Sequence, residues 1–230
     1  MPPGCDENTY AELSKRLIDD DSLVLIDSVV GVTPLLESLG SVYTSGAKGG
    51  AILKLNAAEL CKLTNVPKES ERVTIEELKM STSIFVSNYA NANALNYLCV
   101  TDGKFPGYLI ELGEKKDKFR TWQIDSIDLS ERGTLYPIGA GDTVAAGTLA
   151  AWQHLNSKGG VIPASTGTKL SNKETLWSND KQDNGIRVAT AFAFGIACGS
   201  ASCLKQENSV FDVEDAEKFL EEMNRPILME

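Results

Sequence analysis

Tyr136-Pro137-Ile138-Gly139-Ala140-Gly141-Asp142-Thr143-Val144-Ala145-Ala146-Gly147 is the stretch on which the reading of this chain turns. Gly139, Ala140 and Gly141 deliver the backbone to the start of a helix, and Asp142 places a carboxylate in that helix's first turn. Small residues let the main chain come close to a ligand, and the unpaired N–H groups of a helix start attract anions. A negative side chain facing the anion those amides hold is repulsive unless it does chemistry. Removing a proton from a hydroxyl while the amides steady a phosphoryl group accounts for both features. Taken without its surroundings, the turn reads equally well as a tight loop capped by an aspartate. The following residues, Thr143 to Trp152, are rich in Ala, Gly and Leu, which predicts a closely packed, buried helix.

Working outward, the apolar pattern predicts alternating strands and helices. Asp6 to Asp20 reads as a helix with Tyr10, Leu13, Leu17 and Ile18 on one face. Residues 23–26 form a short continuous apolar run, as in a strand covered on both faces. Pro34 and Gly40 bracket a short helix through Leu35, Leu36 and Leu39. Ala51 to Leu55 is a strand leading into a helix at 57–64, and Thr74-Ile75-Glu76-Glu77 is a capping-box pattern for a helix reaching the eighties. Strands are predicted at 97–100, 108–111 and 120–124, the last two as a hairpin. Helices follow at 141–153, at 187–203 and at 213–223, the last capped by Asp212. The alternation predicts an α/β fold: a three-layer α/β/α arrangement on a mostly parallel central sheet, with ligands at the carboxyl ends of the strands. Residues 1–230 read as one domain. Within it, 154–186 is rich in Ser, Thr, Asn, Gly and Lys and is expected to be a flexible, solvated insertion in which only Trp177 docks.

Composition narrows the function. With 22 basic and 32 acidic residues the net charge is −10, which argues against a nucleic-acid surface or an anionic membrane as partner. An acidic protein that handles anions needs local positive features, which helix N-termini or Mg²⁺ supply. No apolar run approaches a membrane span, and the N-terminus lacks a secretory or transit pattern. The five cysteines (Cys5, Cys61, Cys99, Cys198, Cys203) have no metal-ligand spacing and are odd in number, as expected of reduced thiols in a cytoplasmic protein. His154 is the single histidine, so Ser-His-Asp and Cys-His catalysis are hard to assemble.

Further pieces stand in a fixed order around the Gly-Ala-Gly-Asp turn. Pro2-Pro3-Gly4 precedes the first helix, and Leu23-Val24-Leu25-Ile26-Asp27 follows it. Next come Lys54-Leu55-Asn56-Ala57-Ala58-Glu59-Leu60, an Asn-x-x-Glu motif, and Val100-Thr101-Asp102-Gly103, a Thr-x-Gly turn. In this order the motifs resemble the PfkB-type carbohydrate kinases of the ribokinase superfamily, from residue 2 to the C-terminus. The resemblance implies a ribokinase-like fold and ATP- and Mg²⁺-dependent phosphoryl transfer to a hydroxyl of a sugar or sugar phosphate. It assigns Asp142 the catalytic base and Gly139, Ala140 and Gly141 the anion hole. Asn56 and Glu59 would order Mg²⁺ through water, Asn56 also serving the nucleotide, and Thr101 and Gly103 would lie beside the nucleotide's phosphates and ribose. On spacing alone, Asn56 and Glu59 are an ordinary N-cap with its capping-box partner, and Thr101 to Gly103 a plain β-turn.

The chain also departs from the pattern. Tyr136 stands where ribokinase-like members place a carboxylate for a monovalent cation, so the resemblance gives no basis for potassium activation. Pro137-Ile138 replace the usual small hydroxylated pair. Gly199 to Cys203 and Asn208 to Asp212 look most like the hexose-phosphate branch. The family's N-terminal di-glycine signature, sugar-gripping aspartate and lid strands have no counterpart here. The chain is therefore expected to be the C-terminal catalytic portion, truncated on its N-terminal side, with an exposed strand edge at Leu23 to Ile26. The alternative is a noncatalytic nucleotide-binding remnant, or a subunit that needs a partner chain. A homo-oligomer and a missing N-terminal complement both fit the pattern.

Overall fold

Ala51-Ile52-Leu53-Lys54-Leu55 is buried throughout, the mark of an inner strand with neighbours on both edges. The computed structural model describes residues 9–19, 21–27, 32–42, 50–88, 95–112, 119–157 and 183–229. Pro2-Pro3-Gly4, Cys5, Trp177 and most of the 154–186 insertion lie outside them. The chain divides into two compact units, Met1–Gly103 with Ile110–Arg120, and Lys104–Leu109 with Thr121–Glu230.

In the first unit β1 (Leu23–Ile26), β2 (Gly50–Asn56) and β3 (Tyr97–Asp102) run parallel, with Leu25 opposite Ile52 and Leu53 opposite Leu98. Asn96 fixes the start of this register. Its side-chain oxygen accepts the Ala51 N–H at 2.9 Å, and its own N–H donates to the Ala51 carbonyl at 3.0 Å. Four helices accompany these strands: α1 (Thr9–Leu17), α2 (Val32–Val42), α3 (Ala57–Thr64) and α4 (Ile75–Asn88). Leu36, Leu39, Leu60, Leu78 and Phe85 supply their buried contacts. The predicted capping box of α4 is present: the Glu77 N–H donates to Thr74 Oγ1 and the Glu77 carboxylate accepts the Thr74 N–H.

Two predictions for this unit change. In α1, Leu13 and Leu17 are 45% and 76% exposed, so the leucine stripe stays at the surface while the helix packs on α2. The helix α2 starts two residues before Pro34 and runs past Gly40. Proline fits the first turn, where the backbone N–H has no intrahelical partner anyway.

Strand order across the sheet is β1-β2-β3-β4-β5-β6, with β4 at Phe105–Leu112, β5 at Phe119–Ile124 and β6 at Ile227–Met229. The sheet is α/β and mixed: β1 to β3 are parallel, whereas β6 pairs antiparallel with β5. Only Gly103 and Lys104 separate β3 from β4, a connection too short for a parallel crossover.

The second unit is organised by α5 (Ala140–Ser157) lying against α6 (Asn184–Ser202), with α7 (Val213–Glu222) on α6. A Cβ at Gly195 would stand 2.1 Å from Thr148 Oγ1 and 2.5 Å from the Val144 carbonyl oxygen. Only glycine allows the two backbones this distance. The buried hydroxyls of Thr148 and Thr190 bond back to Val144 and Ile186 carbonyls, four residues earlier. Asp183, not foreseen as a cap, starts α6 by accepting the Gly185 N–H at 2.9 Å. Asp212 precedes α7 but caps nothing with its side chain, because its carboxylate is drawn to the Lys205 ammonium. Among the described residues, α6 is the one helix long and apolar enough to cross a membrane, which the apolar runs did not foretell, yet it is mostly buried inside this unit.

Gly195→Ala is expected to destabilise the fold by roughly 1–3 kcal/mol through overpacking, read as a lower denaturant midpoint with unchanged m-value. Burial pushes the Cys198 thiol up to about 12 and raises Cys61 and Cys99 as well. Alkylation followed by peptide mass mapping should therefore find these three cysteines unmodified in native protein and modified after unfolding.

Candidate active site

The turn before α5 owes its shape to Gly139, which has φ +82°. A Cβ there would sit 2.6 Å from Ser209 Oγ and 2.9 Å from the Ser209 nitrogen, so both the backbone angle and the space demand glycine. Its carbonyl oxygen accepts three donors: the Thr143 N–H at 3.0 Å, Thr143 Oγ1–H at 2.9 Å and Ser209 Oγ–H at 3.3 Å. The Ala140 N–H donates to the Pro137 carbonyl at 3.2 Å. The helical ladder opens with the Thr143-to-Gly139 bond, so the amides of Gly141 and Asp142 stand ahead of it, where a helix start leaves donors unmatched. Asp142 is the third residue of α5 and is exposed. Two donors and a carboxylate therefore share one helical turn on a well-packed helix.

The connector after α6 braces this turn at two places. Tyr136 N–H donates to the Cys203 carbonyl at 2.8 Å, and Ser209 meets Gly139. Ser209 itself has φ +59°, an unusual backbone conformation for a residue other than glycine. The Lys205–Asp212 ion pair closes the connector on itself around Ser209.

In the first unit the carboxyl ends of β2 and β3 bring another group together. Asn56 ends β2, caps α3 and stands opposite Thr101 in the parallel register. Asn56 Oδ1 accepts the Glu59 N–H at 2.8 Å, and Glu59 Oε2 accepts the Asn56 N–H at 2.8 Å. The plain helix-start geometry is thus formed. It uses one oxygen of each side chain and leaves Glu59 Oε1 outside the box. Thr101 Oγ1 donates to the Leu55 carbonyl at 3.5 Å, and Gly103, at φ +63°, makes the turn into β4.

Charged residues that sequence reasoning passed over complete these strand ends. Asp102 is buried; one carboxylate oxygen pairs with Lys68 at 3.3 Å and the other accepts the Val73 N–H at 2.6 Å. The α3–α4 connector is thereby tied to the end of β3. Lys54 is 6% exposed inside β2 and pairs with Asp27, just beyond β1, at 3.0 Å. A lysine inside an apolar strand was the available signal for that pair. Nothing in the sequence marks Asp102 or Ser209 as partners of residues so distant along the chain. Among the described residues, no group of three or more His, Cys, Asp or Glu side chains gathers to hold a metal ion. Glu59 Oε1 offers a single carboxylate oxygen, a donor set that fits a hydrated divalent cation held mainly through water.

No family profile and no curated protein matches the chain. Solved structures with a similar fold include two kinases. One is phosphofructokinase-2 from Escherichia coli in complex with potassium, at TM-score 0.58 and 17% identity, covering 96% of this chain and 54% of that one. The other is ribokinase from Giardia lamblia, at TM-score 0.57 and 13% identity, covering 87% and 59%. The fold is ribokinase-like, as the motifs implied, and the chain spans between half and two thirds of the length of these two proteins.

Asp102→Ala is expected to cost about 1–3 kcal/mol, since it strands the Val73 N–H and the Lys68 ammonium. Asp102→Asn, which keeps an acceptor, should cost less. Denaturant melts of both variants test this ordering.

Proposed function

We propose that the chain carries out ATP-dependent phosphoryl transfer to a hydroxyl of a sugar or sugar phosphate. The observation that carries this reading is the start of α5, where unladdered amides and the exposed Asp142 carboxylate share one turn. The likeness of the fold to a phosphofructokinase and a ribokinase supports it. Asp142 takes the acceptor hydroxyl's proton as its oxygen attacks the γ-phosphorus in line, and ADP departs with the bonding pair. The amides of the Gly139-Ala140-Gly141-Asp142 turn hold the equatorial oxygens as charge spreads over them. The donors unmatched by protein are those of Gly141 and Asp142, so these two carry most of that role. Thr101, Gly103 and Asn56 serve the nucleotide. Glu59, with Asn56, orders the waters of Mg²⁺, which when bound neutralises phosphate charge. The Gly199 to Cys203 and Asn208 to Asp212 segments favour a hexose phosphate as acceptor. The reading places the protein in the cytoplasm.

A second reading sets catalysis by the isolated chain aside. The chain is then a noncatalytic nucleotide-binding remnant, or a subunit that works only with a partner chain or a second copy of itself.

ATP consumption screened against fructose 1-phosphate, fructose 6-phosphate, tagatose 6-phosphate, ribose and adenosine separates the two. Turnover with one acceptor is expected, and Asp142→Asn should lower it by about 10²–10⁴-fold. Near-normal turnover by that variant removes the base assignment. ATP binding without turnover on any acceptor supports the second reading.

A further inference from the structure

We infer that Ser209 is a positioning residue for the phosphoryl-transfer turn, acting through the Gly139 carbonyl; this rests on the kinase reading above. Ser209 Oγ is one of three donors on that oxygen, with Thr143 N–H and Thr143 Oγ1. An oxygen so engaged cannot rotate without losing several hydrogen bonds, so the peptide plane joining Gly139 to Ala140 is fixed. The next two peptide units carry the Gly141 and Asp142 amides, and their direction follows from that plane. The hydroxyl reaches the turn from 70 residues along the chain, and it does so from a backbone at φ +59°. For serine this angle is a standing local cost that glycine would not bear. A residue kept in this conformation while its hydroxyl meets the turn carrying the base is explained by positioning, not by stability of the connector.

The two roles predict opposite outcomes at one position. Ser209→Gly relieves the backbone and removes the hydroxyl; Ser209→Ala removes the hydroxyl and keeps the angle. If Ser209 merely shaped the connector, Ser209→Gly would raise the melting temperature and leave turnover alone. Positioning requires that both variants lower kcat by about five- to tenfold, the rate equivalent of one ordinary hydrogen bond, with KM for ATP within twofold. Ser209→Gly should do so with an unchanged or higher melting temperature. Amide hydrogen exchange at Thr143, which bonds the same carbonyl, should quicken in both variants. Wild-type kcat in both, with unaltered Thr143 exchange, would overturn the proposal while the kinase reading stands. A wild-type chain with neither turnover nor ADP binding would overturn both.

Discussion

The second unit depends on how closely α5 and α6 approach. At Gly195 the backbone of one helix lies within van der Waals reach of the Val144 carbonyl and Thr148 of the other. Such packing has little compliance: interiors at crystal-like density transmit displacement instead of absorbing it. The axis of α5 is therefore set by the contact, and the direction in which its first amides point is set with it. A pair of main-chain donors at a helix start has no side-chain rotamer to adjust. Its accuracy is inherited from the helix behind it, which is why a run of Ala, Gly and Thr follows Asp142 where a surface helix would carry charge.

The first unit answers a different constraint. It places charges where the sheet excludes water, and each has a partner: Lys54 has Asp27, and Asp102 has Lys68 and the Val73 amide. Pairs of this kind add little net stability over apolar replacements, but removing one member leaves an uncompensated charge. What they contribute is position. Asp102 holds the α3–α4 connector against the end of β3, next to Thr101, and Lys54 lies two residues before Asn56. The polar groups at these carboxyl ends are anchored from beneath by ionic contacts, whereas the α5 turn is anchored by close packing.

Much of this was legible in the sequence because it is local. The helix at 57–64 carries its own N-cap and capping-box partner, and the strand at 51–55 is a continuous apolar run. Gly139 announces a positive φ through its neighbours. What escaped prediction depends on distant partners. The leucine stripe of α1 obeys helical periodicity, but periodicity does not say whether a core lies opposite, and Leu13 and Leu17 remain exposed. Asp212 has every local mark of a cap and is claimed instead by Lys205. The strand β6 is three residues long, too short to show any period, and exists only because β5 offers it an edge. The Gly103-Lys104 reversal is present as an Asp-Gly pair, which marks a β-turn but does not show that the strands on either side of it pair. In the candidate site, the residue types were readable while the bracing from Ser209 and Asp102 was not.

The division of the chain has a consequence for its ancestry. The polypeptide passes from one unit to the other at Gly103, returns at Ile110 and leaves again after Arg120. Neither unit is encoded by a continuous stretch of gene. No single recombination event could transplant one of them intact onto another scaffold, and no single break in the chain yields either one whole. The turn that carries Asp142 and the strand ends that carry Asn56 and Thr101 are thus bound to a common lineage by the thread of the backbone. Such a chain diversifies by substitution and by lengthening of its connectors more readily than by exchange of parts.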